Sequence, residues 1–164
     1  MFHRWVFTLP RFFNPMNSGA QLVLHVDDDP SDTLLLQQAC RKAQVSFQLK
    51  SVSDGEAAVA YLSGHSNYAD RKQHPLPALM LLDLKMPRMT GFDVLTWARA
   101  QERFKVLPII ILTASNQEAD IKRAYVTGAN SYLVKPVGIH TLTEMARLID
   151  AYWLGLNQQF KVTG

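Results

Sequence analysis

Two six-residue runs constrain this chain more than any other feature: Ala78-Leu79-Met80-Leu81-Leu82-Asp83 and Pro108-Ile109-Ile110-Ile111-Leu112-Thr113. Both are apolar at every second position and at the positions between, and both stop at a polar residue. A strand of that kind must be covered on both faces, which is the habit of parallel sheets flanked by helices rather than of antiparallel sheets with one wet face. The rest of the chain fits the same frame. Leu22 to Val26 reads as a strand that stops at Asp27-Asp28-Asp29-Pro30, Phe47 to Val52 as a second, and Ser131 to Val134 as a short last one. Helical spacing covers about 31–43 (Leu34, Leu35, Ala39, Ala43), 54–62 with Gly64 as C-cap, 91–101, 116–127 behind a Ser115 cap, and 139–155. Residues 65–77 form a polar loop longer than the usual connection.

Five strands alternating with five helices predict an α/β fold: one doubly wound, five-stranded parallel sheet with helices on both faces. Such sheets place their sites beyond the carboxyl ends of the strands. The residues there are Asp27, Asp28 and Asp29 after the first strand, Asp83 after the third, Thr113 and Ala114 ending the fourth, and Lys135-Pro136 after the fifth. Each has a dull reading on its own: Asp29-Pro30-Ser31 as a turn and helix cap, Asp83 as a paired structural acid, Lys135 as a surface lysine. Together they are harder to dismiss. Several carboxylates at one sheet edge repel one another, and a hard divalent cation such as Mg²⁺, which favours carboxylates, carbonyls and waters, removes that cost. An aspartate can also be a nucleophile toward phosphorus, with metal, lysine and hydroxyl neutralising the phosphoryl charge.

The chain resembles the receiver domain of two-component response regulators in four stretches. They are Val26-Asp27-Asp28; Leu81-Leu82-Asp83-Leu84-Lys85-Met86-Pro87 with Thr90-Gly91-Phe92; Leu112-Thr113-Ala114; and Gly128-Ala129-Asn130-Ser131-Tyr132-Leu133-Val134-Lys135-Pro136. Their order and spacing, 30 residues from Asp83 to Thr113 and 52 to Lys135, fit the family, and the likeness covers about residues 21–157. The resemblance implies a (βα)5 flavodoxin-like fold. It implies Asp83 as phosphoryl acceptor, Asp28 as direct Mg²⁺ ligand with Asp27 beside it, and the backbone carbonyl of Lys85 as a further ligand. Asp83 completes that metal set. Thr113 is expected to bond a phosphoryl oxygen, Lys135 to pair with Asp83 and then with the phosphoryl group, and Tyr132 to be the switch aromatic. Small Ala114 should keep the site open, and Lys135-Pro136 is where the family usually carries a cis peptide. Asp29, a third acid, leaves the metal register open to a slip of one residue. The partner implied is a sensor histidine kinase. The long loop with Tyr68-Ala69-Asp70-Arg71, the Pro75-Leu76-Pro77 entry and the late Tyr152-Trp153-Leu154 are similar to stand-alone regulators partnered with phytochrome-like kinases. That likeness raises a homodimer through the face formed by helix four, strand five and helix five.

Composition narrows the alternatives. At 164 residues, 48% hydrophobic and 19% charged, the chain is expected to be one packed domain, with no run approaching the roughly 20 apolar residues that span a bilayer. Lys+Arg total 17 against 14 acids, but Arg4 and Arg11 lie in an acid-free stretch. Residues 21–164 therefore carry 15 against 14, no excess that would suit nucleic acid. Residues 1–20 are expected to be a tail or an over-extended start with Met16 as the initiator, and residues 158–164 a second tail. The single Cys40 fits a reducing cytoplasm. His25, inside the first strand, reads as a satisfied core histidine, and Leu142, Met145, Leu148 and Ile149 as core. Tyr152 and Trp153 face either that core or a partner. A Mg²⁺ phosphohydrolase is the competing enzyme class. It would want a second carboxylate two residues beyond its nucleophile, where this chain has Lys85, so the chain is read as no enzyme beyond the turnover of its own phosphoryl group. A pure interaction domain finds no support, because every site residue is present.

Overall fold

The computed structural model describes residues 20–160 and residue 162; the expectations for residues 1–19 lie outside the described residues. Five strands, β1 (Leu22–Val26), β2 (Gln48–Val52), β3 (Leu79–Leu82), β4 (Ile109–Thr113) and β5 (Ser131–Val134), form one parallel sheet in the order β2-β1-β3-β4-β5. Five helices connect and follow them: α1 (Pro30–Ala43), α2 (Gly55–Ser63), α3 (Gly91–Ala100), α4 (Glu118–Thr127) and α5 (Ile139–Ile149). The expected doubly wound α/β fold is the one observed. Alternate strand residues feed two separate cores. Leu24, Val26, Met80, Leu82, Ile109 and Ile111 face α2, α3 and α4, whereas Val23, Leu79, Leu81, Ile110 and Leu112 face α1 and α5. All of these strand residues are buried, as strands covered on both faces require.

Local chemistry sets the helix ends. Asp29 caps α1, its carboxylate accepting from the Ser31 and Asp32 N–H groups, with Pro30 in the first turn. Asp54 caps α2, and Gly64 closes it at φ +72°. Thr90 and Asp93 form a reciprocal capping box on α3. Ser115 does not cap α4. The first turn starts later, with Gln117 as the boundary residue, and the Ser115 hydroxyl donates to Asp120 instead. Within α1 the inward residues are Leu36, Ala39 and Cys40, while Leu34 is 52% exposed.

Two connections differ from expectation in physical detail. The 65–77 loop is built around Arg71, whose guanidinium donates to the Tyr61, Leu62 and His74 carbonyls and so satisfies the orphan end of α2. Tyr61 and Tyr68 pack beneath it with ring centroids 5.0 Å apart, and the Tyr61 hydroxyl donates to the Pro75 carbonyl. The last helix is not one uniform element over 139–155: after Ile149 the chain continues as a π-helix through Asp150–Leu156. Leu142, Ile149 and Leu154 are buried and Met145 partly so, but Leu148 points to solvent at 64% exposure. Trp153 packs partly against the core, and Tyr152 is 54% exposed.

Candidate functional site

The register of the sheet lines up its carboxyl ends. Val26 pairs with both Val52 and Leu82, and Leu82 pairs with Ile111, so the next residues of β1 and β3 emerge side by side. The Asp83 N–H donates to the Val26 carbonyl, the Asp27 N–H to that of Val52, and the Lys135 N–H to that of Thr113. These ladder bonds bring Asp27, Asp83, Thr113 and Lys135 to one edge. Gly91, opening α3, presses on the same place from below. A Cβ there would stand 2.1 Å from the Asp83 carbonyl oxygen and 2.8 Å from the Leu84 Cα, so only glycine fits.

Asp27, Asp28 and Asp83 bring carboxylate oxygens within 4.8 Å of one another, with Asp28 exposed and the other two buried. Asp29 is outside this group, and its carboxylate is committed to the α1 cap. An all-oxygen set of three carboxylates is the donor chemistry of a hard divalent cation, and the cluster could bind one. The Thr113 hydroxyl oxygen is fully buried with no hydrogen-bond partner among the described residues. The hydroxyl lies close enough to Asp83 to favour its charged form, and with no complete hydrogen bond of its own it has capacity for a ligand at the site. Ala114 beside it is exposed and leaves the approach open. Lys85 turns its side chain to solvent.

The lysine departs from expectation. Its ammonium lies 2.7 Å from Asp27 Oδ2 and 2.7 Å from Asp32 Oδ2, but 4.0 Å from Asp83 Oδ1, beyond hydrogen-bond length. In this state Lys135 is held by Asp27 and Asp32 more than by Asp83. The Lys135–Pro136 peptide is trans, for no cis peptide occurs among the described residues. Tyr132 is half-buried, and its hydroxyl donates to the Ser115 carbonyl at 2.9 Å, an inward position.

Electrostatics divides the two buried acids. Burial pushes the Asp27 carboxyl up, but hydrogen bonds with His25 and Lys135 and from the Asp29 N–H outweigh it and hold the pKa at about 2. For Asp83 burial dominates and raises the carboxyl above the ordinary range, although the neighbouring Thr113 hydroxyl, the Lys135 charge and the Leu84 N–H oppose it. Burial disfavours the charged form of Lys135, yet its bonds to Asp27 and Asp32 raise its pKa, so it stays an ammonium.

Two residues of the site escaped sequence reasoning. Asp32 lies in the first turn of α1, where an acid reads as a complement to the helix dipole. His25 is a satisfied core histidine as expected, at 2% exposure, but its partners reach the site: Nε2 stands 3.5 Å from Asp27 Oδ2 and Nδ1 3.4 Å from the Ser51 hydroxyl. Its signal was its setting, a titratable ring in an otherwise apolar buried strand two residues before the acid.

The family model described as the response regulator receiver domain matches residues 23–147. Response regulator Rcp1 of Synechocystis is 31% identical over 82% of this chain and 89% of its own length. Its Mn²⁺-bound form superposes with a TM-score of 0.75 at 30% identity, covering 86% of this chain and 99% of that one. Regulator RPA3017, in red light signalling of R. palustris, gives a TM-score of 0.82 at 36% identity over 86% and 99% of the two chains. The phosphorylated cyanobacterial phytochrome response regulator RcpA gives 0.79 at 29% identity over 87% and 100%.

Proposed function

Because this chain belongs to the response regulator receiver-domain family, we propose that it accepts a phosphoryl group on Asp83 from a histidine kinase and relays it as a change in a partner-binding face. Membership makes it a two-component signal-transduction module with a histidine kinase for a partner. The observation that carries the finer reading is the cluster itself: a buried carboxylate, two further carboxylates, an ammonium and an unpartnered buried hydroxyl at one sheet edge. In the transfer an Asp83 oxygen forms the new O–P bond as the N–P bond of the kinase phosphohistidine breaks, and the imidazole leaves with that electron pair. Lys135 and Thr113 then bind phosphoryl oxygens, the first by charge and the second by its free hydroxyl.

Asp28 and Asp83, with Asp27 beside them and the Lys85 carbonyl, would hold Mg²⁺. When bound, that ion neutralises phosphoryl charge. The Mn²⁺-bound relative supports a divalent ion there. A groove beside the site, lined by Asp28, Pro30, Leu34, Gln37 and Ser53, suits docking of the kinase segment. The regulators RcpA and RPA3017 support a phytochrome-like kinase as that partner.

Thr113 and Tyr132 form the switch in this reading: recruitment of the Thr113 hydroxyl to the phosphoryl group alters the space Tyr132 fills, and the face of α4, β5 and α5 changes its partner preference. That face carries exposed Val126, Val134, Leu148 and Tyr152, which suits a homodimer. The receiver unit spans 21–157, and the protein needs neither nucleic acid nor a membrane. Among the described residues no helix is long and apolar enough to cross one. A reducing cytoplasm fits the free, buried Cys40. It turns over only its own phosphoryl group.

Intact mass after incubation with acetyl phosphate and Mg²⁺ tests the reading. The expected result is one added phosphoryl group, lost with EDTA and absent in Asp83→Asn. A folded wild-type protein that gains none from acetyl phosphate or from any phosphorylated histidine kinase overturns it.

A further inference from the structure

We propose that Asp32 is a positioning residue that holds the Lys135 ammonium on the α1 side of the site, so that phosphorylation of Asp83 must first break the Asp32–Lys135 contact. This deepens the phosphoacceptor reading and rests on it. A lysine ammonium has three N–H donors. Two are spent at equal length, 2.7 Å each, on Asp27 and Asp32, and the acceptor carboxylate stands at 4.0 Å.

The two holding carboxylates differ. Asp27 is almost wholly buried and further tied by the Asp29 N–H and by His25. Asp32 has a 42% exposed side chain on a helix, and its carboxylate has no other hydrogen-bond partner among the described residues. Asp32 is therefore the contact that can open. An incoming phosphoryl group offers the ammonium three oxygens and more negative charge than one carboxylate, so the lysine exchanges Asp32 for it. The resting contact then sets a barrier.

The structure thus assigns Asp32 control over how readily the site is loaded. With acetyl phosphate as donor, an Asp83 oxygen bonds phosphorus as the acyl O–P bond breaks and acetate leaves with that pair. Asp32→Asn should load about fivefold faster than wild type, as expected from losing one charge-assisted bond that is partly replaced by water. In the resting protein the same substitution should speed hydrogen exchange of the Lys135 ammonium, followed by ¹⁵N-lysine NMR without donor.

An equal or slower rate in Asp32→Asn, while wild type loads normally, overturns the proposal. So does a gain that vanishes at about 0.5 M salt, where a general charge effect is screened and a contact is not. Should wild type take no phosphoryl group from acetyl phosphate or from a phosphorylated histidine kinase, the phosphoacceptor reading fails by itself. The resting-state NMR then decides the contact: an unchanged ammonium signal refutes it, and faster exchange upholds it.

Discussion

Asp27 and Asp83 share one small volume and titrate in opposite directions, Asp27 held at about 2 and Asp83 raised. Both are buried, and the balance differs because Asp27 accepts close bonds from Lys135 and the Asp29 N–H with His25 beside it, whereas Asp83 has Lys135 only at 4.0 Å and weaker help from Thr113 and the Leu84 N–H. A carboxyl whose folded pKa is depressed contributes stability above its unfolded value and loses it as pH falls through the folded one. For Asp27 that window runs from the ordinary 3.8 down to about 2. In urea unfolding, the stability of wild type relative to Asp27→Asn should therefore fall as pH drops from about 5 to about 2, by about 2 kcal/mol in all. A difference that stays flat over that range would contradict the hydrogen-bond account. Asp83 has the opposite sign: its raised carboxyl favours the folded state more as it takes up a proton, so the subtraction against Asp27→Asn is what isolates Asp27. Asp27, Asp28, Asp83, Thr113 and Lys135 were legible because each stands where a strand stops. The partner of Lys135 was not legible, because it depends on which face of α1 turns inward, and Asp32 carries no mark that separates it from any first-turn acid.

Single side chains join elements at several points, and Arg99 is one of them. From α3 it donates to the Gly128 carbonyl and the Asn130 side chain between α4 and β5, and to the Phe104 and Leu107 carbonyls before β4. Asn130 in turn accepts from the Ile109 N–H, so one guanidinium aligns the entries of two neighbouring strands. Arg99→Met keeps the aliphatic stem and removes every donor, so the part-buried Gly128 and Leu107 carbonyls lose their guanidinium partner while that of Phe104 keeps the Leu107 N–H. It should lower unfolding free energy by about 3 kcal/mol, read from the urea midpoint. A loss below about 1 kcal/mol would mean water replaces the guanidinium. At this scale strand positions were legible almost to the residue, since apolar runs have sharp ends. Helix interiors were less so: Ser115 looked like a cap, yet the turn that would accept it begins two residues later. The π-helical winding after Ile149 left no trace, because its side chains are ordinary and its contacts, Leu154 in the core and Asp150 on Ser46, are long-range.

Across the whole molecule, the two sheet faces are sealed by helices; exposed apolar side chains occur at several places, Leu34 on α1 and Val137 after β5 among them, and α4, β5 and α5 carry Val126 at 81%, Val134 and Leu148 at 64%. If that face is the dimer contact, Leu148→Glu should leave the thermal midpoint within about 2 °C while shifting sedimentation of the phosphorylated protein to monomer. A wild-type protein already monomeric with and without the phosphoryl group would remove the contact. The parallel topology was legible from two-sided strands, but which apolar residues stay outside was not: Leu148 has the spacing of a core residue. The same topology has a consequence in time. Asp27, Asp83 and Lys135 lie 56 and then 52 residues apart along the chain, and each reaches the site only when its own strand has joined the sheet. Long-range pairings of this kind form late in folding, after the entropy of closing large loops has been met. During synthesis the last of the three leaves the ribosome only after four strands have been made. A nascent or half-folded chain thus presents its kinase with no complete acceptor, and the ability to be phosphorylated doubles as a certificate that folding has finished.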